Sequence, residues 1–378
     1  MKIVIATDSF KGCLTSLEAG NSIADGIKRV FNDAEIHVRP IADGGEGTVD
    51  AIISALGGKL HHVTVKDPLC RPIESSYGIV NGTAFIEMAA ASGITLVSEN
   101  ERNPLNTTTY GVGELIKDAI QKGIRDFVIG IGGSATNDGG IGMLSALGFE
   151  FLDKDGKSVS FGAKGLEFLA EIRTDNALSE LKECSFKVAC DVKNPLCGDN
   201  GCSAVFAPQK GATAEMIEKM DAWLDSYARL TKELIPHSDP KLPGSGAAGG
   251  LGFALRSYLG AALTPGIDII IEATELESII KDADIVITGE GKLDGQSHMG
   301  KAPVGVAKLA KKYGKNVIAF AGAVTPDAST CNDHGIDAFF PAVRKPCTLG
   351  EAIDPENAKA NLADTAEQVF RMINSISK

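Results

Sequence analysis

The chain has 378 residues, of which 44% are hydrophobic and 23% are charged, and these values exclude a disordered or fibrous protein. Its 37 lysines and arginines against 49 aspartates and glutamates give a formal net charge of −12, which disfavours binding to nucleic acid or to an anionic membrane surface. No stretch approaches the roughly 20 apolar residues of a membrane span, and the apolar run at 3–6 is too short for a signal peptide. We therefore expect a cytoplasmic protein.

The first third of the chain alternates strand and helix signals. Residues 2–7 are rich in β-branched side chains, which predicts a strand. Thr15 and Glu18 have the spacing of a capping box, which predicts a helix that reaches about Phe31. The next predicted elements are a strand at 36–40, a helix at 47–56 and a strand at 60–65.

The last hundred residues repeat this alternation. A strand is predicted at 284–288, followed by a helix that Pro303 opens and Gly314 closes. Further strands are predicted at 316–321 and 338–341, before a C-terminal helix. Alternating strands and helices are typical of a parallel sheet that helices cover on both faces.

The middle of the chain has a different pattern. Asn81-Gly82, between the short strands 77–80 and 83–87, predicts a β-hairpin with a type I′ turn. The further predicted elements are a helix at 110–122, strands at 126–131 and 186–191, and a long amphipathic helix that contains Ile217, Met220, Leu224 and Tyr227. This part of the sequence therefore favours a mixed sheet.

These patterns together predict an α/β protein of two domains. Residues 1–68 and 283–378, from both chain ends, would form a parallel, Rossmann-like three-layer α/β/α domain. Residues 69–282 would form an inserted α/β domain with a mixed sheet. We expect the active site in the cleft between the two domains.

Five polar loops, four of which contain glycine, are predicted at the carboxyl ends of strands, where open parallel sheets bind their ligands. They occupy residues 7–12, 43–48, 132–140, 192–195 and 289–296. Their glycines allow backbone amides to approach an anion, their lysines add positive charge, and their carboxylates can hold Mg²⁺ or accept a proton. This combination indicates phosphoryl transfer.

One alternative class of enzyme stays open at this point. Gly130-x-Gly132-x-x-Ala135 follows a predicted strand, and Asp153 lies about where the ribose carboxylate of a dinucleotide site would be, so a dehydrogenase is an alternative. A second match to the fingerprint, starting at Gly244, follows prolines instead of a strand and is discounted. Gly291-Lys292 is followed by Leu293 rather than Ser or Thr, which excludes a P-loop at this position. A non-catalytic sugar-acid sensor is the third hypothesis.

As a set, the loops resemble those of type 1 glycerate kinases, ATP-dependent enzymes of bacterial sugar-acid and glyoxylate metabolism. The matching segments are 7–12, 40–48, 106–111, 132–140, 190–195, 208–212, 246–252, 289–296 and 300–303. They occur in the expected order, so the resemblance covers essentially the whole chain. It implies two α/β domains with a central cleft, MgATP as the phosphoryl donor and D-glycerate as the acceptor.

The resemblance further implies transfer to the 2-hydroxyl, which gives 2-phosphoglycerate and ADP. Attack by the 3-hydroxyl would give 3-phosphoglycerate, and a rotation of the small substrate would decide between them. The sequence also leaves open which domain binds ATP, and whether the protein is a monomer or a homodimer.

Residue chemistry and loop position then give each candidate a hypothetical role. Asp191 is the candidate base for the attacking hydroxyl, and Lys11 would neutralise a phosphate or the glycerate carboxylate. Asp43 and Glu46 would hold Mg²⁺ or position the acceptor hydroxyls. The other candidates for substrate or nucleotide binding are Asp8, Ser9, Gly44, Gly45, Gly132, Gly133, Ser134, Thr136, Asn137, Asp138, Lys193, Glu290, Lys292, Asp294 and Lys301.

Overall fold

The structure, a computed structural model, describes residues 1–42, 45, 47–295, 297 and 301–376. Its strands are β1 (Lys2–Thr7), β2 (Glu35–Val38), β3 (Lys59–Lys66), β4 (Pro72–Val80), β5 (Thr83–Glu87), β6 (Asp126–Gly130), β7 (Glu150–Leu152), β8 (Glu171–Arg173), β9 (Ser185–Ala189), β10 (Ala262–Thr264), β11 (Ile285–Leu293), β12 (Asn316–Val324) and β13 (Ala338–Pro341). Its α-helices are α1 (Ser16–Lys28), α2 (Thr48–Leu56), α3 (Ala89–Ser92), α4 (Tyr110–Gln121), α5 (Ile141–Ala146), α6 (Cys202–Phe206), α7 (Ala214–Leu234), α8 (Ala247–Leu259), α9 (Gly266–Ala273), α10 (Leu276–Lys281), α11 (Ala302–Lys312), α12 (Leu349–Ala352) and α13 (Pro355–Ile376). Within the described ranges, no helix combines the length and the apolar character that a membrane crossing requires.

The chain divides into two compact units. The first comprises Met1–Asp43, Asp50–Gly57 and Pro265–Lys378, and the second comprises Gly44–Val49 and Gly58–Thr264. These divisions differ from the expected boundaries after residues 68 and 282. Strand β3 pairs with β4 along its whole length and so belongs to the sheet of the second unit. Helices α9 and α10 pack against α11 and so belong to the first.

The first unit contains a parallel sheet with the strand order β13-β12-β11-β1-β2. The predicted parallel sheet is confirmed. Across the sheet, the chain steps from β1 to β2 toward one edge and from β11 to β12 toward the opposite edge. Since crossovers between parallel strands are right-handed as a rule, α1 and α11 are expected to cover opposite faces. Helix α13 packs beside α1.

The capping box predicted for α1 is present. The Glu18 amide donates to Oγ1 of Thr15 at 3.2 Å, and the Thr15 amide donates to Oε2 of Glu18 at 3.0 Å. Such a cap stabilises a helix by about 1 kcal/mol. It fixes where the helix begins, and therefore the length of the loop that joins β1 to α1.

The second unit contains a sheet with the order β10-β9-β6-β5-β4-β3, in which β5, β6, β9 and β10 are parallel and the β3–β4–β5 part is antiparallel. The predicted mixed sheet and hairpin are confirmed. Asn81 and Gly82 have φ values of 47° and 82°, which a type I′ turn requires. Helix α7 buries Met220, Leu224 and Tyr227 in the manner predicted for an amphipathic helix.

Candidate active site

The order of the strands marks where a ligand of the first unit would bind. The sheet reverses its direction of winding between β1 and β11, and open α/β sheets bind ligands at such a switch point, beyond the carboxyl ends of the strands. The Asp8 amide donates to the Gly289 carbonyl at 2.8 Å, which keeps the two strands paired up to this edge. The loop that follows β1 therefore starts beside Gly289, and β11 continues past it to Leu293.

The loop after β1 is a tight turn that carries three predicted site residues. Phe10 and Leu14 exchange backbone hydrogen bonds of 2.9 and 3.0 Å across the turn. Asp8 is buried, with its Oδ1 atom accepting from the Ser9 amide at 2.6 Å, whereas the Lys11 side chain is exposed. The turn thus places a cation at the surface of the switch point.

Four predicted residues come together in one cluster at the carboxyl end of β11. The Lys301 ammonium lies 3.7 Å from Oε2 of Glu290 and 3.4 Å from Oδ1 of Asp294, and Lys292 lies 3.6 Å from Oδ2 of Asp294. Ser297, which the sequence did not single out, donates its hydroxyl to Oε1 of Glu290 at 2.5 Å. Two lysines and two carboxylates thus form an electrically balanced site on the sheet edge.

A cavity of about 140 Å³ lies beside this cluster. Its walls are mainly apolar and include Phe10, Ile353 and Leu362, while Lys11 and Asn361 contribute polar groups. Gly291 also lines the cavity and stands in β11 between two members of the charged cluster, Glu290 and Lys292. Because successive side chains of a strand point to opposite faces of the sheet, the side chains of Glu290 and Lys292 lie on the face opposite the cavity, and the two features meet at the backbone of β11.

The predicted magnesium ligands, Asp43 and Glu46, lie outside the described residues, as do Gly44, Gln296 and Gly300. Gly45 is described, and its carbonyl accepts from the Thr48 hydroxyl at 2.7 Å at the start of α2. The sequence did not single out Glu87, whose carboxylate accepts from the Val49 amide at 2.8 Å and from the Gly47 amide at 3.3 Å. A carboxylate at a helix N-terminus is favourable because it compensates the helix dipole.

In the second unit, the predicted loop at 132–140 follows β6. Gly132 and Gly133 are exposed, and Ser134 is 9% exposed. The Gly133 carbonyl accepts from the Ile94 amide at 2.8 Å, and the Ala135 amide donates to the Ser92 carbonyl at 2.9 Å. These bonds fix the loop on both sides of Ser134 and present its first residues at the surface.

A buried lysine, which was not among the predicted site residues, supports this loop. Lys210 is 2% exposed, and its ammonium donates to Oγ of Ser134 at 2.8 Å and to the Thr136 carbonyl at 2.6 Å. Burial lowers the pKa of Lys210 to about 8, although the nearby charges of Cys202 and Asp138 act in the opposite direction. In the sequence, the one indication of a role for Lys210 is that it belongs to segment 208–212, one of the segments that resemble the family.

Asp138 and Asn137 lie beneath the loop and are fully buried. Asp138 accepts from the Thr109 amide at 2.8 Å, the Thr109 hydroxyl at 2.9 Å and the Gly140 amide at 3.1 Å. Burial raises the pKa of Asp138, and these hydrogen bonds oppose that effect. Asn137 donates to the Ser203 hydroxyl at 3.0 Å. Both residues join the loop to other segments of the second unit.

A glycine-rich segment at the start of α8 packs against the same loop. Ala248, Gly249 and Gly250 have left-handed backbone conformations, and the Gly139 amide donates to the Gly249 carbonyl at 2.9 Å. A Cβ atom on Gly249 would lie 2.1 Å from the Thr136 carbonyl oxygen, so this close approach requires glycine. The fingerprint starting at Gly244 therefore marks a packing surface.

The other dinucleotide fingerprint also lacks its required geometry. A dinucleotide site needs a helix that begins within the glycine loop, so that its N-terminus faces the pyrophosphate. Here helix α5 begins only at Ile141, beyond the buried residues 136–138, and residues 133–135 are bonded to 92–94. The loop is thus built differently from that of a dehydrogenase.

Asp191 and Lys193, the candidate base and its neighbouring lysine, are exposed. Strand β9 ends at Ala189, so both residues lie just beyond the carboxyl end of a central parallel strand, although the predicted strand reached Asp191. The Cys190 thiol donates to the Val192 carbonyl at 3.4 Å. The candidate site residues of the second unit therefore lie on two loops, which follow the neighbouring strands β6 and β9.

Comparisons with known proteins show the family of this chain. Residues 3–374 match the model of the glycerate kinase family. The chain is 47% identical to a glycerate kinase of Haemophilus influenzae over 99% of both chains, and 49% identical to a glycerate 2-kinase of Escherichia coli K12 over 93% of both. A crystal structure from Salmonella typhimurium LT2 that carries the name glycerate kinase 2 superposes with a TM-score of 0.92, at 46% identity, over 100% of this chain and 99% of that one. The chain belongs to the glycerate kinase family.

Proposed function

We propose that this protein transfers the γ-phosphoryl group of MgATP to the 2-hydroxyl of D-glycerate and releases 2-phosphoglycerate and ADP. The observation that carries the proposal is the cluster of Lys292, Lys301, Glu290 and Asp294 at the switch point of the first unit. Catalysis of phosphoryl transfer consists mainly of positioning and of neutralising charge, which such a cluster supplies. The name of the 49% identical glycerate 2-kinase supports the choice of the 2-hydroxyl over the 3-hydroxyl.

We assign the phosphates of ATP to the carboxyl ends of β1 and β11. Lys301 is only partly exposed and already faces two carboxylates, so an incoming phosphate would share its charge rather than meet a fully hydrated ammonium. Lys11 and Lys292 are exposed on the same edge and would add positive charge. These lysines counteract the repulsion that a protein of net charge −12 exerts on a polyanion.

The donor set of the cluster fits a magnesium ion that accompanies ATP. Mg²⁺ prefers oxygen ligands and is usually held by one or two carboxylates together with substrate phosphates. Glu290 and Asp294 offer such oxygens, and the predicted ligands Asp43 and Glu46 would add further ones. The ion would supply additional positive charge to the transferring phosphoryl group.

The neighbouring cavity would hold the adenine ring. A complete ligand site usually measures ~300–1,000 Å³, and the cavity of about 140 Å³ is the size of one part of a ligand rather than a whole nucleotide. Its apolar walls would contact the faces of a flat base, while Asn361 would offer hydrogen bonds to the edge. We therefore assign ATP to the first unit, with the base in the cavity on one face of the sheet and the phosphates crossing the carboxyl end of the sheet toward the charged cluster on the other face.

In the second unit, Asp191 remains the proposed base for the acceptor hydroxyl, with Lys193 beside it. The exposed positions of both side chains beyond the end of β9 leave them accessible to a small substrate. We propose positioning roles rather than ligand contact for Asn137 and Asp138, because both are fully buried.

Location in the cytoplasm stays a prediction. Light scattering after size exclusion would decide between monomer and homodimer.

An assay of ADP release tests the proposed function. We expect release that requires both D-glycerate and Mg²⁺. Without ATP, a hydroxy acid and a nicotinamide cofactor should give no change in nicotinamide absorbance. Such an absorbance change, with no ADP formed under any condition, would instead support the dehydrogenase. A thermal shift with D-glycerate and no turnover of either kind would support the sensor.

A further inference from the structure

Lys210 is a buried cation whose hydrogen-bond partners carry no formal charge. Its ammonium bonds the Ser134 hydroxyl and the Thr136 carbonyl, and no ion pair to it exists within the described part of the chain. Taking an ammonium out of water is costly unless an opposite charge compensates it. The buried Asp138 lies near enough to raise the pKa of Lys210 but forms no ion pair with it, so a positive charge remains beneath the loop surface that an anion could neutralise.

The hydrogen bond from Lys210 determines how Ser134 can act. Because the Ser134 oxygen accepts from the ammonium, its own hydroxyl proton is available for another acceptor. Among the described residues, no protein acceptor takes that proton. Ser134 lies at the surface end of this pair, next to two exposed glycines, so the proton can be donated to a bound molecule.

Backbone amides complete the same site. The amides of Gly132, Gly133 and Ser134 bond no acceptor within the part of the chain that the structure describes. Gly133 has a φ of 73°, and a left-handed residue among successive amides produces the concave arrangement that binds anions. Thus amide groups, a serine hydroxyl and a buried cation occur together at the end of β6.

We infer that Gly132, Gly133 and Ser134 bind one oxyanion group of a substrate, a carboxylate or a phosphoryl group, and that Lys210 acts as a positioning residue that orients the Ser134 hydroxyl toward it. The inference rests on the proposed function, because D-glycerate and ATP are the molecules that would bring these groups. Lys210 does not touch the anion. It holds the donor in place and adds a positive charge one hydrogen bond away.

Two kinds of variant separate this role from general stability. Ser134→Ala removes the donor and leaves the bond from Lys210 to the Thr136 carbonyl. Lys210→Met removes the charge and preserves the length of the side chain. Lys219→Met is the matched control, because Lys219 is exposed on α7 and pairs with Glu215 on the surface at 2.7 Å. Circular dichroism and thermal melting would identify any variant that fails to fold.

Two measurements give the readout. Steady-state kinetics with ATP and D-glycerate give kcat and both KM values, and calorimetry with D-glycerate or inorganic phosphate as the sole ligand gives the binding affinity. For a carboxylate site, both Ser134→Ala and Lys210→Met raise KM for D-glycerate about tenfold or more and leave KM for ATP unchanged. For a phosphoryl site, they weaken phosphate binding and raise KM for ATP or lower kcat, with KM for D-glycerate unchanged. A folded Ser134→Ala variant with wild-type values for both ligands would overturn the inference.

The pH dependence supplies a readout that a purely structural lysine would not give. The groups that face Lys210 are Cys202, whose pKa burial raises to about 12, and the buried Asp138. Since Lys210 has a pKa of about 8, oxyanion affinity of the wild type should fall between pH ~7 and ~9 as the ammonium loses its proton. Lys210→Met should lose this dependence, and an unchanged profile would count against the inference.

The outcomes also distinguish this inference from the proposed function. If the wild type forms no phosphoglycerate but binds D-glycerate or phosphate in a manner that requires Ser134, the proposed function fails and the oxyanion site stands. If the wild type forms phosphoglycerate while the folded Ser134→Ala and Lys210→Met variants keep wild-type kcat and both KM values, the proposed function stands and the oxyanion site fails.

Discussion

The ammonium nitrogen of Lys301 lies 3.7 Å from Oε2 of Glu290, which joins the residue before helix α11 to strand β11. The same nitrogen lies 3.4 Å from Asp294. Lys301 is thus held by two carboxylates at the edge where we place the phosphates of ATP, and this geometry makes it the most directly testable lysine of the first unit.

Replacement of this lysine should impair phosphoryl transfer. We expect Lys301→Met to lower kcat/KM for ATP by about 10²-fold, since it removes positive charge from the site of the developing negative charge. Lys312→Met, at the last residue of helix α11 and paired with Glu277 on the surface, is the control and should keep wild-type kinetics. Equal kinetics of the two variants would contradict the proposed position of the phosphates.

Filling the cavity of the first unit should affect ATP selectively. Ala323 lines the cavity, so Ala323→Phe should occupy the space assigned to adenine and raise KM for ATP about tenfold or more, while KM for D-glycerate stays the same. Ala360→Phe, at an exposed position of α13, serves as the control. A larger effect on D-glycerate than on ATP would show that the cavity has another occupant.

The buried Lys210 should also affect stability in a pH-dependent way. Its pKa is about 8 in the folded protein and 10.5 in the reference state, so between these values the unfolded chain binds more protons. The free energy of unfolding of the wild type, relative to Lys210→Met, should therefore rise by about 1 kcal/mol per pH unit from pH ~8 to ~10. Denaturant titrations without ligand would measure this, and a constant difference would refute the low pKa.

The proposed base should matter less than a proposed phosphate-binding lysine. Phosphoryl transfer has a loose transition state that demands little from a base, so Lys11→Ala should lower kcat/KM more than Asp191→Asn. Both variants should lower turnover while their melting temperatures stay near that of the wild type. Asp155→Asn, at an exposed turn, is the control. Wild-type rates in either site variant would remove that residue from the proposed site.

The sequence predicted the first unit well where local patterns determine the structure. The parallel strands and the capping box of α1 depend on side chains close together in the chain, and both are present. The cluster from Glu290 to Lys301 could be predicted for the same reason, because one strand end and the helix that follows it bring its members together. The predicted start of α11 was one residue too late, because the helix begins at Ala302 and Pro303 occupies its second position.

The support of the second-unit loop could not be read from local patterns. Lys210 reaches Ser134 across 76 positions of the chain, and Thr109 reaches Asp138 across 29, so only the packing of distant segments brings them together. The unit to which β3 belongs likewise depends on contacts between distant segments. The pattern of β3 predicts a strand without specifying its sheet, and only its pairing with β4 assigns it to the second unit.

Phosphorus NMR of a reaction with ATP, Mg²⁺ and D-glycerate tests the central claim most directly, because it follows the transferred group itself. The account predicts that the γ-phosphate signal of ATP declines while the signals of ADP and 2-phosphoglycerate rise together. A rise of 3-phosphoglycerate instead would overturn the choice of hydroxyl. Consumption of ATP that yields only inorganic phosphate, or no consumption at all, would contradict the assignment of this protein as a kinase that acts on glycerate.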